Sequence, residues 1–143
     1  MPGEVRLSDQ KRGYEMNKRV YQFYEGNAQM RELLGRKGAV LSELTNQKLP
    51  VPQGFIVSTE AFRQYNADGK KISGEMKNEI RQSVRKLEEM TGKKFGDKKD
   101  PLIVSVRSSP ETNMPGMFGT IINVGFNEKT AEALSERSGA SAF

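Results

Sequence analysis

The chain of 143 residues contains no cysteine, no histidine and no tryptophan. Without cysteine there is no disulfide and no thiolate metal site, and the composition fits a reducing compartment. Without histidine the chain lacks the usual proton shuttle, the commonest metal ligand and any imidazole to carry a phosphoryl group. Chemistry therefore falls to Asp, Glu, Lys, Arg or a hydroxyl. No run is long and apolar enough to span a membrane, and the N-terminus has no apolar signal-peptide core, so a cytoplasmic protein is expected. Apolar residues make up only 35% of the chain and mean hydropathy is −0.69. That is still enough for one domain with one core.

Positive charge is plentiful. The net charge is +5 and the pI is near 9.5. Such a balance favours anionic partners: a nucleotide, a nucleic acid or an acidic protein surface. The plain alternative is a soluble domain with scattered lysines.

Met1 to Glu15 is polar and without periodicity, and it is expected to be a flexible extension, with Met16 as an alternative start. Residues 16–143 then form the domain. Val20 to Tyr24 is β-rich and aromatic, a first strand. Ala28 to Leu34 reads as a short helix ended by Gly35, and Lys37 to Asn46 as a second helix with Val40, Leu41 and Leu44 on one face and Ala39 beside them. Pro50 and Pro52 stop it. Phe55 to Ser58 is a short strand, and Thr59 is placed to cap a helix from Glu60 to Ala67. Ser73 caps the clearest helix, whose stripe is Met76, Ile80, Val84, Leu87 and Met90 or Thr91, with Gly92 just past its end. Leu102 to Arg107 and Thr120 to Val124 are strands, and Glu128 to Glu136 is a final helix capped by Asn127. The order β-α-α-β-α-α-β-β-α predicts an α+β, mixed α/β fold, with a mostly antiparallel or mixed sheet and packed helices.

Three constellations suit phosphate. Leu34-Gly35-Arg36-Lys37-Gly38 is a glycine-flanked turn before a helix, where backbone N–H groups and a mobile lysine charge meet. It lacks the P-loop spacing, so as a bare pattern it reads first as a turn with a solvated lysine. Arg107 ends a strand, and its forked donors match phosphate oxygens; a surface arginine paired with Glu111 is the other reading. Met114-Pro115-Gly116-Met117 has the residues of a type II turn, which can aim N–H groups at an anion or simply join two strands. Asp97 with Asp100, and Glu88 with Glu89, sit beside lysines and read as solvated charge rather than a metal site. The basic run Lys93, Lys94, Lys98 and Lys99 has only Phe95 among it, a poor stacking platform for nucleic acid.

Several stretches together resemble the N-terminal part of the pyruvate, phosphate dikinases. They are Val20-Tyr21-Gln22-Phe23 with Glu25-Gly26-Asn27; Met30 to Gly38; Leu49 to Phe55; Lys93 to Asp97; Pro101 to Ser108; and Met114 to Met117 with the strand after it. The resemblance runs from Val20 to about Gly139. It implies the first subdomain of an ATP-grasp domain that binds ATP, with Mg²⁺ in the complete enzyme. It implies that Lys37, Gly38, Arg107, Gly116 and Met117 lie at the nucleotide, with Lys37 and Arg107 on its phosphates and the glycine of the Met-Pro-Gly-Met loop over it. It implies no catalytic residue here: the acidic metal-binding half, the phosphohistidine domain and the pyruvate-binding barrel lie elsewhere in the family, so the chain is expected to be inactive alone. Arg36 stands where the family has a second glycine. Ser109 to Asn113 fill the loop, with Glu111 where an arginine is usual.

The readings are therefore ranked. The chain is a nucleotide-binding portion of a dikinase-like phosphotransferase, with an incomplete ATP site. Alternatively it is a non-catalytic interaction module that keeps the subdomain fold, has weak or lost nucleotide binding, and docks on a protein partner or on the remaining dikinase domains. Nucleic-acid binding through the lysine run ranks last.

Overall fold

The computed structural model describes residues 18–108 and 119–139. In chain order the elements are β1 (Val20–Gln22), a 3₁₀ turn (Phe23–Glu25), α1 (Arg31–Asn46), β2 (Phe55–Val57), α2 (Thr59–Ala67), α3 (Gly74–Thr91), β3 (Val104–Arg107), β4 (Thr120–Val124) and α4 (Glu128–Ser138). The described residues form a mixed α/β fold with two small antiparallel sheets, β1–β2 and β3–β4.

The first sheet is anchored by polar groups and covered by helices. β1 and β2 pair Val20 with Val57, Tyr21 with Ile56 and Gln22 with Phe55. All of β1 is buried. The strand ends at Gln22, not at Tyr24, because the chain tightens into the 3₁₀ turn and the Glu25 carboxylate accepts the Gln22 N–H at 2.7 Å. Ahead of the strand, Arg19 donates to Glu79 (2.8 Å), Glu75 (2.9 Å) and Gln64 (2.6 Å). The second Glu79 oxygen accepts the backbone N–H groups of Arg19 and Val20. One carboxylate on α3 thus satisfies the start of β1, whose donors would otherwise be stranded at the edge of the core.

α1 unites the two helices expected from the sequence. Gly35 interrupts it with φ 71° and ψ 165°, a backbone region essentially restricted to glycine. The first half begins at Arg31 rather than Ala28, because the Ala28 N–H is taken by Glu43 and residues 27–30 form a turn. The buried face also differs. Leu34, Gly38, Ala39 and Ser42 are buried, whereas Val40 is 44% exposed. A Cβ on Gly38 would lie 3.1–3.3 Å from the Ile56 side chain. Small residues let α1 approach β2 closely, and this turns Val40 outward.

Ser58, not Thr59, caps α2: its hydroxyl accepts the Ala61 N–H at 3.2 Å, while the Thr59 hydroxyl donates across to the Glu32 carbonyl. α3 has the expected limits. Ser73 accepts the Met76 N–H and Gly92 closes the helix with φ 68°. Met76 and Leu87 are buried and Ile80 and Val84 half-buried; of the two residues offered for the last position Met90 is exposed and Thr91 half-buried, and Ser83 joins the buried face.

The second sheet follows a stitched loop. Leu102 donates its N–H to the Lys94 carbonyl, and Glu88 accepts the Phe95 N–H. β3 starts at Val104 rather than Leu102, because Leu102 is held to this loop. β3 and β4 pair Val104 with Val124, Val106 with Ile121 and Arg107 with Thr120, with an irregularity between the first two pairs. β4 carries one extra residue there, a bulge with Asn123 at φ 57°. Asn127 accepts the Thr130 N–H and the Thr130 hydroxyl accepts the Asn127 N–H, so α4 is capped at its start as expected, and it runs on to Ser138.

Candidate functional site

The Gly35 break places Arg36 and Lys37 in the first turn of the second half of α1. Lys37 is exposed there, and its ammonium donates to the Ser108 carbonyl at 3.1 Å. Ser108 immediately follows Arg107, the last residue of β3. A contact across 71 residues of sequence therefore ties Lys37 to the residue that follows Arg107. Neither Lys37 nor Arg107 has an ion pair among the described residues. Arg107 is exposed, and its backbone is fixed by the pairing with Thr120. Each is attractive to an anion: Lys37 is a compact charge on a flexible stem, and Arg107 is a planar fork on a rigid strand.

Gly38 lies next to Lys37 but is buried against Ile56, so the structure gives it a packing role. Gly116 and Met117, with Pro110 and Glu111, lie outside the described residues. The Ser108 carbonyl escaped the sequence reading, since no local pattern reports a contact with a residue 71 positions away.

The lysine-rich loop is knit by acids. Asp100 pairs with Lys93 at 3.5 Å and with Arg137 of α4. The Arg137 hydrogen bond holds the Asp100 carboxyl below the usual carboxylate range. Asp97 is lowered too, by accepting the N–H groups of Lys99 and Asp100. Asp100 stitches the loop to α4 and Asp97 ties the loop to itself, so this charge, read from the sequence as solvated, is engaged in holding the loop. Among the described residues no group of three or more acidic, His or Cys side chains could hold a metal ion. No described helix is long and apolar enough to cross a membrane.

A separate cleft of about 310 Å³ opens between β1 and α3, lined by Lys18, Val20, Gln22, Glu25, Glu79, Gln82, Ser83 and Lys86. Burial works against ionising Glu25, but the Lys18 ammonium and the Gln22 N–H outweigh it and bring its carboxyl below the ordinary value. The cleft mixes two lysines with two glutamates that are already engaged by Lys18 and Arg19, so it offers no net charge to a ligand.

No family model matches the chain. Among curated proteins it is similar to the pyruvate, phosphate dikinase of Clostridium symbiosum, 49% identical over 128 residues that cover 90% of this chain and 15% of the relative. The dikinase of Rickettsia bellii is 44% identical over 125 residues, 85% of this chain and 14% of its own. That of Entamoeba histolytica is 44% identical over 118 residues, 82% and 13%. The chain belongs to the pyruvate, phosphate dikinase family. It spans about one-seventh of the length of the dikinases it matches, at 13–15% of each. The match takes in most of the chain, so the break at Gly35 and the strand end at Arg107 can be read as parts of a dikinase.

Proposed function

We propose that the chain is the N-terminal part of the ATP-grasp nucleotide-binding domain of a pyruvate, phosphate dikinase, and that Lys37 and Arg107 hold the phosphates of ATP. The observation that supports this reading is the Lys37–Ser108 contact, which sets the lysine beside the end of the strand that bears Arg107, neither having an ion pair among the described residues. The donor set fits a triphosphate. Lys37 can follow a phosphoryl group as it moves, and Arg107 can grip two oxygens at once. Among the described residues no group of three or more acidic side chains could hold a metal ion, and the family resemblance assigns Mg²⁺ to the rest of the enzyme.

In a complete dikinase, ATP, phosphate and pyruvate yield AMP, diphosphate and phosphoenolpyruvate. The part played by this chain is positioning and charge neutralisation, which dominates catalysis of phosphoryl transfer. It supplies no nucleophile, because it has no histidine. By itself the chain binds without turning over.

A nucleotide titration followed by two-dimensional NMR tests this. Millimolar ATP is expected to shift the amide signals of Arg36 to Gly38 and of Arg107 and Ser108 together, and Lys37→Ala with Arg107→Ala should weaken the response at least tenfold. Unmoved signals at both segments would refute the assignment.

A further inference from the structure

α3 carries a charge arrangement that the nucleotide reading does not use. The helix contains four cations, Lys77, Arg81, Arg85 and Lys86, and four acids, Glu75, Glu79, Glu88 and Glu89, so by sequence it is neutral. The fold sorts these charges. Glu75 and Glu79 are both taken by Arg19, which lies just ahead of β1. Glu88 accepts the Phe95 N–H at 3.0 Å. Lys77, Arg81 and Arg85 recur at four-residue spacing, all three are exposed, and none has an ion pair among the described residues. They lie on the side of α3 away from the buried Met76, Ser83 and Leu87. Asn78 and Gln82, also exposed, stand beside them and add amide donors. Glu89 ends the row one turn beyond Arg85, without pairing with it.

This row works against the helix that holds it. Residues four apart on a helix are neighbours, and like charges at that spacing repel. Lys77 with Arg81 and Arg81 with Arg85 are two such pairs. Lys77 also sits near the N-terminal end of α3, where the helix dipole disfavours positive charge. No described carboxylate pairs with any of the three to offset this. An exposed arrangement that weakens its own helix and gains nothing within the chain points to a function outside it.

We propose that this face of α3 binds the phosphodiester backbone of a nucleic-acid duplex. From Lys77 to Arg85 the helix rises about 12 Å, a length over which one strand of a duplex presents about three phosphates. Three cations can therefore meet neighbouring phosphates one for one. Two of them are arginines, whose forked donors grip phosphate oxygens. Lys77, Asn78, Arg81, Gln82 and Arg85 include no apolar residue, which argues against a protein partner. Protein interfaces have an apolar core, whereas duplex interfaces are polar and strongly positive. The row has no aromatic side chain either, so the bases of a single strand find no platform. Contacts to the backbone alone carry no sequence preference. The face shares no residue with Lys37 and Arg107, and the proposal does not depend on their binding phosphate.

The test titrates a fluorescein-labelled DNA duplex with the full chain and follows its anisotropy. Three phosphate contacts predict binding that weakens about fortyfold between about 50 and 200 mM salt. Replacing Lys77, Arg81 and Arg85 together by glutamine should weaken binding by about tenfold or more and flatten the salt dependence. The melting temperature of that variant should not fall below the parent's, because the repulsion along the row is gone. Replacing the exposed loop residues Lys94, Lys98 and Lys99 by glutamine removes the same charge and should leave most of the binding in place. No anisotropy change with about 100 μM chain at the low-salt end overturns the proposal. So does an equal loss in the two triple variants, because net charge alone would then account for the binding. Tighter binding of poly-glutamate than of the duplex would make an acidic protein the occupant, and tighter binding of the matching single strand would show that bases are held; either result overturns it.

Discussion

The β1–β2 and β3–β4 sheets are both two-stranded and antiparallel, yet they are finished to different degrees. β1 is buried along its whole length, α1 approaches β2 over Gly38, and Glu79 of α3 closes the start of β1. β3 and β4 have α4 and the Lys93–Asp100 loop nearby, and still leave Val106, Ile121 and Ile122 open. Strand pairing alone therefore does not bury a sheet in this molecule. Covering does, and where α1 and α3 supply the cover the sheet needs no partner from outside.

Three substitutions probe this contrast. The largest effect is expected at Glu79. Changing it to alanine removes one of the Arg19 guanidinium's partners and strands two backbone donors, and should cost about 3 kcal/mol in a urea melt; a loss below about 1 kcal/mol would mean that the first sheet is held by its helices alone. Next comes Gly35→Ala. A side chain in that backbone region should cost about 2 kcal/mol, with no change in the hydrogen exchange of β3–β4. A stability equal to the parent would show that α1 can run straight, and would make the break a local accident. The smallest effect is expected at Ile121→Lys, which should stay within about 0.5 kcal/mol in the chain alone because the side chain is already in water. A loss of about 2 kcal/mol or more there would place Ile121 in a core and erase the difference between the sheets.

Local signals were legible in both regions. Ser73 and Gly92 mark α3 by local chemistry, a hydroxyl that caps and a glycine that accepts positive φ, and both act as read. Gly35 announces the break in α1 for the same reason. What failed depended on partners distant in sequence. Val40 belongs to a plausible helical stripe, but the close approach of Gly38 to Ile56 fixes the inner face elsewhere. Met90 is apolar yet exposed, and Ser83 is polar yet buried, because the neighbours of α3 set its buried face. The Arg19–Glu79 network spans 60 residues and left no trace in local pattern. The candidate site divides the same way. Lys37 and Arg107 were chosen by residue type and motif, whereas the meeting of Lys37 with the Ser108 carbonyl is a tertiary fact.

That meeting has a mechanical side. A lysine ammonium has three N–H donors, and the bond to Ser108 engages one of them. Two remain for an incoming anion, so a ligand at Lys37 need not break the tie to the end of β3. Lys37 acts as a rivet with a free head: it fastens the strand end to α1 and still presents charge, and whatever grips that head tightens the joint between the covered sheet and the open one.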